Sequence, residues 1–331
     1  MSTLCDAAPN ACRDELLRTE ANVALLRSLH HLIDVASKVL PNEGRAAANA
    51  LAGFLPEEKA TGFLRVYNAC LTRAIRAKNV ELARGYLKEF STLRPAAAAP
   101  RPTILSLDRK HPAPHHLRFI DVVNDSIYET YRMRNDFGPL ASAHPSFAAA
   151  HTALNRLAAV DKQLADELEV LLSEIFLFES TTFNAGTSLH ALGIVWMSHL
   201  KDGHSWARYY EHLVHEAAHH HLYYVLQNDP LYLNDPNELY ASPFRSEMRP
   251  IGGIYHGMFV LARTLRAVHA LERSADYDAE LDVVSTIHNN AKNPASFEEK
   301  FEDCIVVLQK HANLTDIGRG LMESAREMAY A

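Results

Sequence analysis

The sequence predicts a mainly α-helical protein with a small β-sheet, an α+β fold. Apolar residues recur at three- and four-residue spacing over most of the 331 residues, which is the pattern of amphipathic helices. Two short segments, 103–108 ("TILSLD") and 191–200 ("ALGIVWMSHL"), instead hold the apolar, β-branched residues typical of strands. With 48% hydrophobic residues, the chain can bury a sizeable core.

The first hundred residues are predicted to form a separate helical region. Residues 10–93 repeat apolar side chains at helical spacing, and one stripe is formed by Leu16, Leu17, Val23, Leu26, Leu29 and Leu32. The segment 94–102, "RPAAAAPRP", has three prolines in nine residues, which forbids a regular helix and indicates an extended linker. The predicted domains are therefore an N-terminal helical region, residues 1–95, and a second domain, residues 103–331.

In the second domain, the residue pattern predicts further helices around the short strands. Residues 110–145 hold several prolines and histidines and predict irregular structure, whereas residues 146–180 read as one long helical pattern. After the strand at 191–200, Ser205 is a predicted N-cap, and Pro230 stops that helix by about Asn228. The chain is predicted to be helical from residue 251 onward, and "SFEE" at 296–299 is a capping box.

Charge and cysteine content narrow the classes of function. The net charge is −7 with neutral histidines, which argues against a general nucleic-acid-binding protein. No run of eighteen apolar residues is present, so no membrane span is predicted. The polar, acidic N-terminus lacks the features of a secretory signal, and four scattered cysteines favour reduced thiols. We therefore expect a cytoplasmic protein; oligomeric state is left open.

The segment 211–227, "EHLVHEAAHHHLYYVLQ", carries the pattern His-Glu-x-x-His. His215 and His219 are four residues apart on a predicted helix, so both imidazoles project from one face and can bind one divalent metal. Glu216 lies about 100° around the helix from His215, where it can reach a metal-bound water without being a ligand. We interpret His220 and His221 as solvent-exposed or outer groups. The predicted metal helix directly follows the strand at 191–200, so the two are expected to pack side by side.

A third ligand must come from elsewhere in the chain. The extended metzincin pattern is excluded because Leu222 and Val225 occupy the positions where it needs glycine and histidine. A zinc peptidase with a glutamate ligand could use Glu238 or Glu247. The other candidate is His256, which follows a glycine pair that lets the backbone turn tightly.

The elements "HEAAHH" and "SPFRSEMRPIGGIYHGMFVLAR" resemble a family of HExxH-motif proteins associated with the modification of ribosomally made peptides. Members share His-Glu-x-x-His, a short loop, Ser/Ala-Pro-Trp-Arg, Arg-Pro, Gly-Gly and His-Gly in that order. The resemblance covers mainly residues 205–265. Phe244 stands where tryptophan is common, and "SEMRP" also departs from the usual pattern.

The resemblance implies an Fe(II)- and 2-oxoglutarate-dependent oxygenase that hydroxylates a side-chain β-carbon of a ribosomally synthesised precursor peptide. His215, His219 and His256 would be a three-histidine variant of the facial ligand set of such enzymes. The far carboxylate of 2-oxoglutarate then requires a cation, and arginine pairs with a carboxylate in bidentate fashion. We favour Arg249, because Pro250 and the following glycines place its backbone near His256, with Arg245 as the alternative.

Two other functions fit the same residues. In a zinc-dependent metalloprotease of the HExxH type, Zn²⁺ would take the place of iron and Glu216 would be the general base. A weaker alternative is a metal-free scaffold that binds peptides. The strand at 191–200 is expected either to pair with an extended substrate peptide or to be an interior strand of the sheet. The region 1–95 has no metal-spaced cluster and is expected to recognise the substrate or to support the second domain.

Overall fold

The computed structural model describes residues 3–57, 59, 62–95, 101–107, 112–201, 205–244, 247–274 and 295–330. Within them the chain is mostly helical with one four-stranded sheet, which confirms the predicted α+β class. The helices are α1 (Ala11–Ser37), α2 (Pro41–Leu51), α3 (Phe63–Arg76), α4 (Val80–Phe90), α5 (Pro114–Tyr131), α6 (Pro145–Val160), α7 (Lys162–Leu171), α8 (Trp206–Val225), α9 (Ile251–Glu272), α10 (Phe297–His311) and α11 (Asp316–Ala329). The strands are β1 (Thr103–Ser106), β2 (Glu174–Phe178), β3 (Ala185–Gly186) and β4 (Ile194–Ser198).

The sheet has the order β1-β2-β4-β3. β1, β2 and β4 are parallel, with Thr103 opposite Glu174 and Glu174 opposite Ile194, and the two-residue β3 runs antiparallel to β4. Every residue of β2 and β4 is buried, as expected for parallel strands covered on both faces. The strand predicted at 191–200 is thus confirmed, and it is an interior strand that pairs on both sides.

Two sequence-based expectations are wrong in the middle of the chain. The long helix expected over 146–180 is two helices followed by β2, because a short, fully buried apolar run cannot be assigned to strand or helix by periodicity. Asp161 separates the helices by accepting a hydrogen bond from the backbone N–H of Leu164. The segment 110–145 is not irregular throughout: Pro114 occupies the first turn of α5, where its fixed φ fits a helix.

The chain forms two compact units. The helical unit comprises Met1–Asp14, Ala148–Leu168 and Leu200–Ala331, and the sheet unit comprises Glu15–Phe147 and Glu169–His199. Each unit therefore uses segments from both sides of the predicted linker at 94–102, of which residues 96–100 lie outside the described part of the chain.

The sheet unit has two apolar cores. One is formed by residues of α1 to α4. The other packs aromatic side chains of α3 and α5 against the buried strands, and Phe119 contacts both Phe176 and Trp196 there. In the helical unit α9 is central and packs against α8, α10 and α11. None of the described helices combines the length and the apolar character needed to cross a membrane.

Candidate metal centre

Helix α8 carries the His-Glu-x-x-His pattern through the interior of the helical unit. Its predicted N-cap is confirmed, because the Ser205 hydroxyl accepts a hydrogen bond from the N–H of Ala207. The helix ends at Val225, slightly before the predicted stop at Asn228. Nearly every α8 residue is buried, which is typical of a helix covered on all sides. His215 and His219 are the two histidines of the motif that keep partial exposure.

The imidazoles of His215 and His219 lie side by side, as their spacing predicts. Their ring centroids are 5.2 Å apart, and the rings meet edge to face. The His215 side chain is 25% exposed, and its Nδ1 atom lies 3.5 Å from the Oε1 atom of Glu211. Glu211 is fully buried, and its other carboxylate oxygen lies 2.6 Å from Nδ1 of His212. One face of α8 thus holds His215, a candidate metal ligand, together with a carboxylate, Glu211, that can orient its ring.

His256 comes from α9 and meets His219. The Nδ1 atoms of the two rings are 3.3 Å apart, and the rings are nearly parallel with centroids 5.5 Å apart. Burial lowers the pKa of His256 to about 4. Burial also lowers the pKa of His219 well below 6.5, with the neighbouring His215 and His256 adding to the effect. Both imidazoles are therefore neutral near pH 7, the form that offers a lone pair to a metal.

The separation of these two nitrogens matches that of two ligands on one ion. At a metal–nitrogen distance of about 2.1 Å, atoms 3.3 Å apart subtend an angle of about 104° at the ion, close to tetrahedral. His215 does not complete this set at ligand distance. In the described residues, the only group of at least three possible ligands whose atoms all lie within 4.8 Å of one another is Asp14, Glu167 and His221. The structure thus brings His219 and His256 together, with His215 beside them.

Glu216 follows His215 but is turned into the protein. It is 6% exposed, and burial raises the pKa of its carboxyl group to about 8, with the negative charge of Glu211 as a second cause. In the metal-free protein at pH 7 the group is mostly protonated and can donate a hydrogen bond. A cation bound at the histidines would favour its ionised form.

The first turns of α9 are lined with glycines that receive side chains from the preceding loop. A Cβ atom on Gly257 would overlap the Phe244 ring, and one on Gly252 would come within 2.5 Å of the Tyr232 hydroxyl. The side chain of Arg249 lies over Gly253, where an added Cβ would be 3.5 Å from its Cβ and Cδ atoms. The glycines thus let the loop pack directly on the face of α9 beside His256.

Arg249 is held at the base of this face by its backbone. Its N–H and C=O both pair with Tyr240, at 2.8 Å each. The structure therefore places Arg249 one turn before Gly253 with its aliphatic part along the helix. The alternative arginine, Arg245, lies outside the described residues.

The two glutamates considered as third ligands are on the surface. Glu238 and Glu247 are both exposed, and Glu238 accepts a hydrogen bond from the Tyr240 hydroxyl at 2.7 Å. Neither belongs to a ligand group among the described residues. Of the three candidates, His256 is the one that the structure places beside the motif.

His220 and His221 are not solvent-exposed, contrary to one expectation from the sequence. Nδ1 of His220 donates to the backbone carbonyl of Glu216 at 2.9 Å. His221 lies 2.8 Å from Asp14 through its Nδ1 atom and stacks on Phe259. Both positions face the crowded interior of the helical unit, which periodicity within α8 alone does not reveal.

Asp14, Glu167 and His221 form a buried ionic cluster together with Arg13 and Arg263. Arg13 contacts both carboxylates, and Arg263 pairs with Glu167. Burial raises the pKa of Glu167 to about 7, against the opposing charge of Arg263. The three ligand atoms are close enough to hold a metal ion. However, two guanidinium groups already balance the two carboxyl groups, so a divalent cation would leave buried positive charge uncompensated.

The sequence interpretation did not single out two residues that lie beside the candidate metal ligands. Glu211 is four residues before His215, and this spacing could have identified it as a partner on the same helix face. Tyr223 is four residues after His219, and its ring lies 5.4 Å from that of His256 and 6.4 Å from that of His219. Comparison with known proteins adds no further residues, because no protein-family model matches the chain and no curated protein is significantly similar to it.

Proposed function

We propose that the protein is an Fe(II)- and 2-oxoglutarate-dependent oxygenase that hydroxylates a side-chain β-carbon of a ribosomally synthesised precursor peptide. The observation that carries the proposal is the approach of His219 and His256, whose Nδ1 atoms are 3.3 Å apart, beside the exposed edge of His215. We propose iron and 2-oxoglutarate, rather than another metal and cosubstrate, because the motifs from His-Glu-x-x-His to His-Gly occur in the order seen in the hydroxylase family that the sequence resembles.

Three features support an iron(II) ion at these histidines, with His215 beside the other two rather than at ligand distance from both. The His219 and His256 rings are neutral because burial lowers their pKa values, so each can donate a lone pair. All three histidines are partly exposed, which leaves coordination positions open to a cosubstrate. The buried carboxylate of Glu211 faces His215 and supplies negative charge next to the imidazoles.

The protein's own groups would hold and orient the reactants. His215, His219 and His256 would bind the metal, and Arg249 would pair with the far carboxylate of 2-oxoglutarate. When bound, the two cofactors supply the oxidising chemistry: O₂, 2-oxoglutarate and a C–H bond give a C–OH bond, succinate and CO₂. Phe244 and Tyr232 pack on the glycines of α9 and keep the loop that carries Arg249 against the helix.

The placement of the glutamates favours this function over a zinc peptidase with a glutamate ligand. Glu238 and Glu247 are exposed, and the third histidine occupies the position beside the motif. We further propose that the protein acts in the cytoplasm. The four cysteines are free, as expected of a reducing compartment.

Anaerobic titration tests the proposal without a peptide substrate. Protein loaded with Fe(II) should gain a visible charge-transfer band when 2-oxoglutarate is added, because a 2-oxo acid that chelates iron produces such absorption. Admission of O₂ with ascorbate should then form succinate. The double variant His219→Ala/His256→Ala should show neither signal. Zinc-dependent cleavage of casein without any 2-oxoglutarate turnover would overturn the proposal in favour of the peptidase, and absence of metal binding would favour the scaffold.

A further inference from the structure

We infer that Glu211 is a positioning residue of the metal centre, which holds Nδ1 of His215 so that Nε2 of the same ring binds the metal. The inference rests on the proposed function for the presence of a metal. It goes beyond that function because it assigns an outer partner and the ligating atom of His215, neither of which the His-Glu-x-x-His pattern specifies.

The geometry comes from a single helix. Glu211 and His215 are four residues apart on α8, so their side chains share a face. Oε1 of Glu211 lies 3.5 Å from Nδ1 of His215, and Oε2 lies 2.6 Å from Nδ1 of His212. The carboxylate thus lies next to the Nδ1 atoms of two imidazoles, with one oxygen toward each.

The orientation of His215 determines which nitrogen is available. A neutral imidazole has one N–H and one lone pair. When the Nδ1–H group points at the Glu211 carboxylate, the lone pair is on Nε2, on the opposite side of the ring. Ligating histidines in proteins commonly have such a carboxylate partner, which fixes the ring and increases its basicity. Glu211 therefore selects the tautomer of His215 that binds a cation.

The burial of Glu211 supports a role beyond packing. Its side chain has no exposure to solvent, and a buried carboxylate is unfavourable unless nearby groups compensate its charge. The buried Arg208 guanidinium is one such group, since the charge of Glu211 acts on it. A divalent cation at the three histidines would add positive charge within the same group of side chains.

The test measures the affinity of the full chain for Co(II), which reports its coordination through visible absorption. Glu211→Gln keeps the size of the side chain and removes the charge, and we expect a loss of affinity of about 10- to 100-fold. Glu211→Asp keeps the charge but shortens the side chain by one methylene group, which moves the carboxylate away from His215. We expect an intermediate loss of Co(II) affinity. Glu298→Gln is the matched control, because Glu298 forms a Glu–His contact with His269 away from the metal centre, at 3.6 Å.

Melting of the metal-free variants separates positioning from structural support. If Glu211 only supported the fold, Glu211→Gln would lower the melting temperature without metal and leave the Co(II) spectrum unchanged. A positioning residue gives the reverse: a changed spectrum and weaker binding, with little loss of metal-free stability. Wild-type affinity and an unchanged spectrum in both Glu211 variants would overturn the inference while the proposed metal site stands. If the wild type itself binds no Co(II), the inference and the proposed metal site both fail.

Discussion

Nδ1 of His219 on α8 faces Nδ1 of His256 on α9 across 3.3 Å, although 37 positions separate the two residues in the chain. Two imidazoles at this distance, both with lowered pKa values, are a neutral pair rather than a charged one, and we expect them to act as metal ligands. The relationship leads directly to a first prediction about metal content.

Removal of an outer partner such as Glu211 is expected to weaken metal binding by about 10- to 100-fold. His256→Ala removes a proposed direct ligand, so we expect it to weaken metal binding by more than that. The measurement is the iron content after anaerobic loading and desalting. His269→Ala, on the same helix, is the control and should keep wild-type iron. If His256→Ala retains full iron content while Glu247→Gln loses it, the third ligand is a carboxylate.

Glu216→Gln distinguishes the two catalytic proposals. The carboxyl group of the metal-free protein is mostly protonated at pH 7, since its pKa is raised to about 8, so glutamine is a close substitute and should not unfold the chain. A zinc peptidase needs Glu216 as its base and should lose nearly all turnover. An oxygenase needs no base for hydrogen abstraction, and we expect measurable succinate formation to remain. Complete loss of succinate with normal iron content would contradict that expectation.

Arg249→Ala should raise the KM for 2-oxoglutarate by at least about tenfold while iron content stays near normal. The reason is that loss of one partner from a buried carboxylate–arginine pair typically costs roughly 2 to 5 kcal/mol. Arg249→Lys should recover only part of the affinity, since lysine offers no bidentate fork. The assay is succinate production against 2-oxoglutarate concentration, with Arg319→Ala on α11 as an exposed control. An unchanged KM in Arg249→Ala would move the role to Arg245.

Gly257→Ala should destabilise the helical unit by about 1 to 3 kcal/mol, because its new methyl group would overlap the Phe244 ring. Denaturant unfolding of a double-mutant cycle checks the cause: Phe244→Ala should relieve much of the cost of Gly257→Ala. Gly85→Ala is the contrast. No atom lies within 4 Å of the added Cβ atom on α4, so that variant should gain about 0.5 to 1 kcal/mol. Strictly additive effects at positions 244 and 257 would disprove the contact.

His116→Phe should make the sheet unit more resistant to acid. Burial lowers the pKa of His116 from 6.5 to about 4, with His115 contributing, and its ring packs against Phe176. Between those two pH values the unfolded chain binds a proton that the folded chain excludes, so the wild type loses stability as pH falls through the window. Phenylalanine cannot be protonated. We expect the free energy of unfolding of the variant, relative to the wild type, to be higher by roughly 1 kcal/mol at pH 4 than at pH 7, a figure reduced to allow for the partial exposure of His116. Urea unfolding of both proteins at both pH values measures it. The exposed His31→Phe should show no such gain.

Local signals account for the parts of the structure that the sequence predicts well. The N-cap at Ser205, the capping box at Ser296 and the four-residue histidine spacing all depend on neighbours along one helix. Such patterns are readable because the helix period is fixed at about 3.6 residues. The strand β4 was also recognisable, from its β-branched and aromatic residues.

The predictions that were wrong concern features that depend on contacts between residues far apart in the chain. β2 resembles helix in its apolar run and becomes a strand because it pairs with β1 and β4. His221 was expected in solvent or as an outer group, yet it is buried against Asp14, which no pattern within α8 indicates. The approach of His256 to His219 was expected from motif order and a glycine turn, but the shape of the intervening loop depends on its packing against the glycines of α9.

The contact between Asp14 and His221 joins positions 207 residues apart, which sets a sequence of events on the ribosome. Asp14 leaves the exit tunnel long before α8 is translated, so the ionic cluster cannot close until most of the chain has been made. Glu167 can pair with Arg13 as soon as α7 is made, but Asp14 lacks His221 and Glu167 lacks Arg263 until α8 and α9 follow. Chains whose contacts close late in synthesis are more exposed to misassembly on the way. For recombinant production, slower translation at lower temperature should therefore raise the yield of folded protein more than it does for a chain with local contacts only.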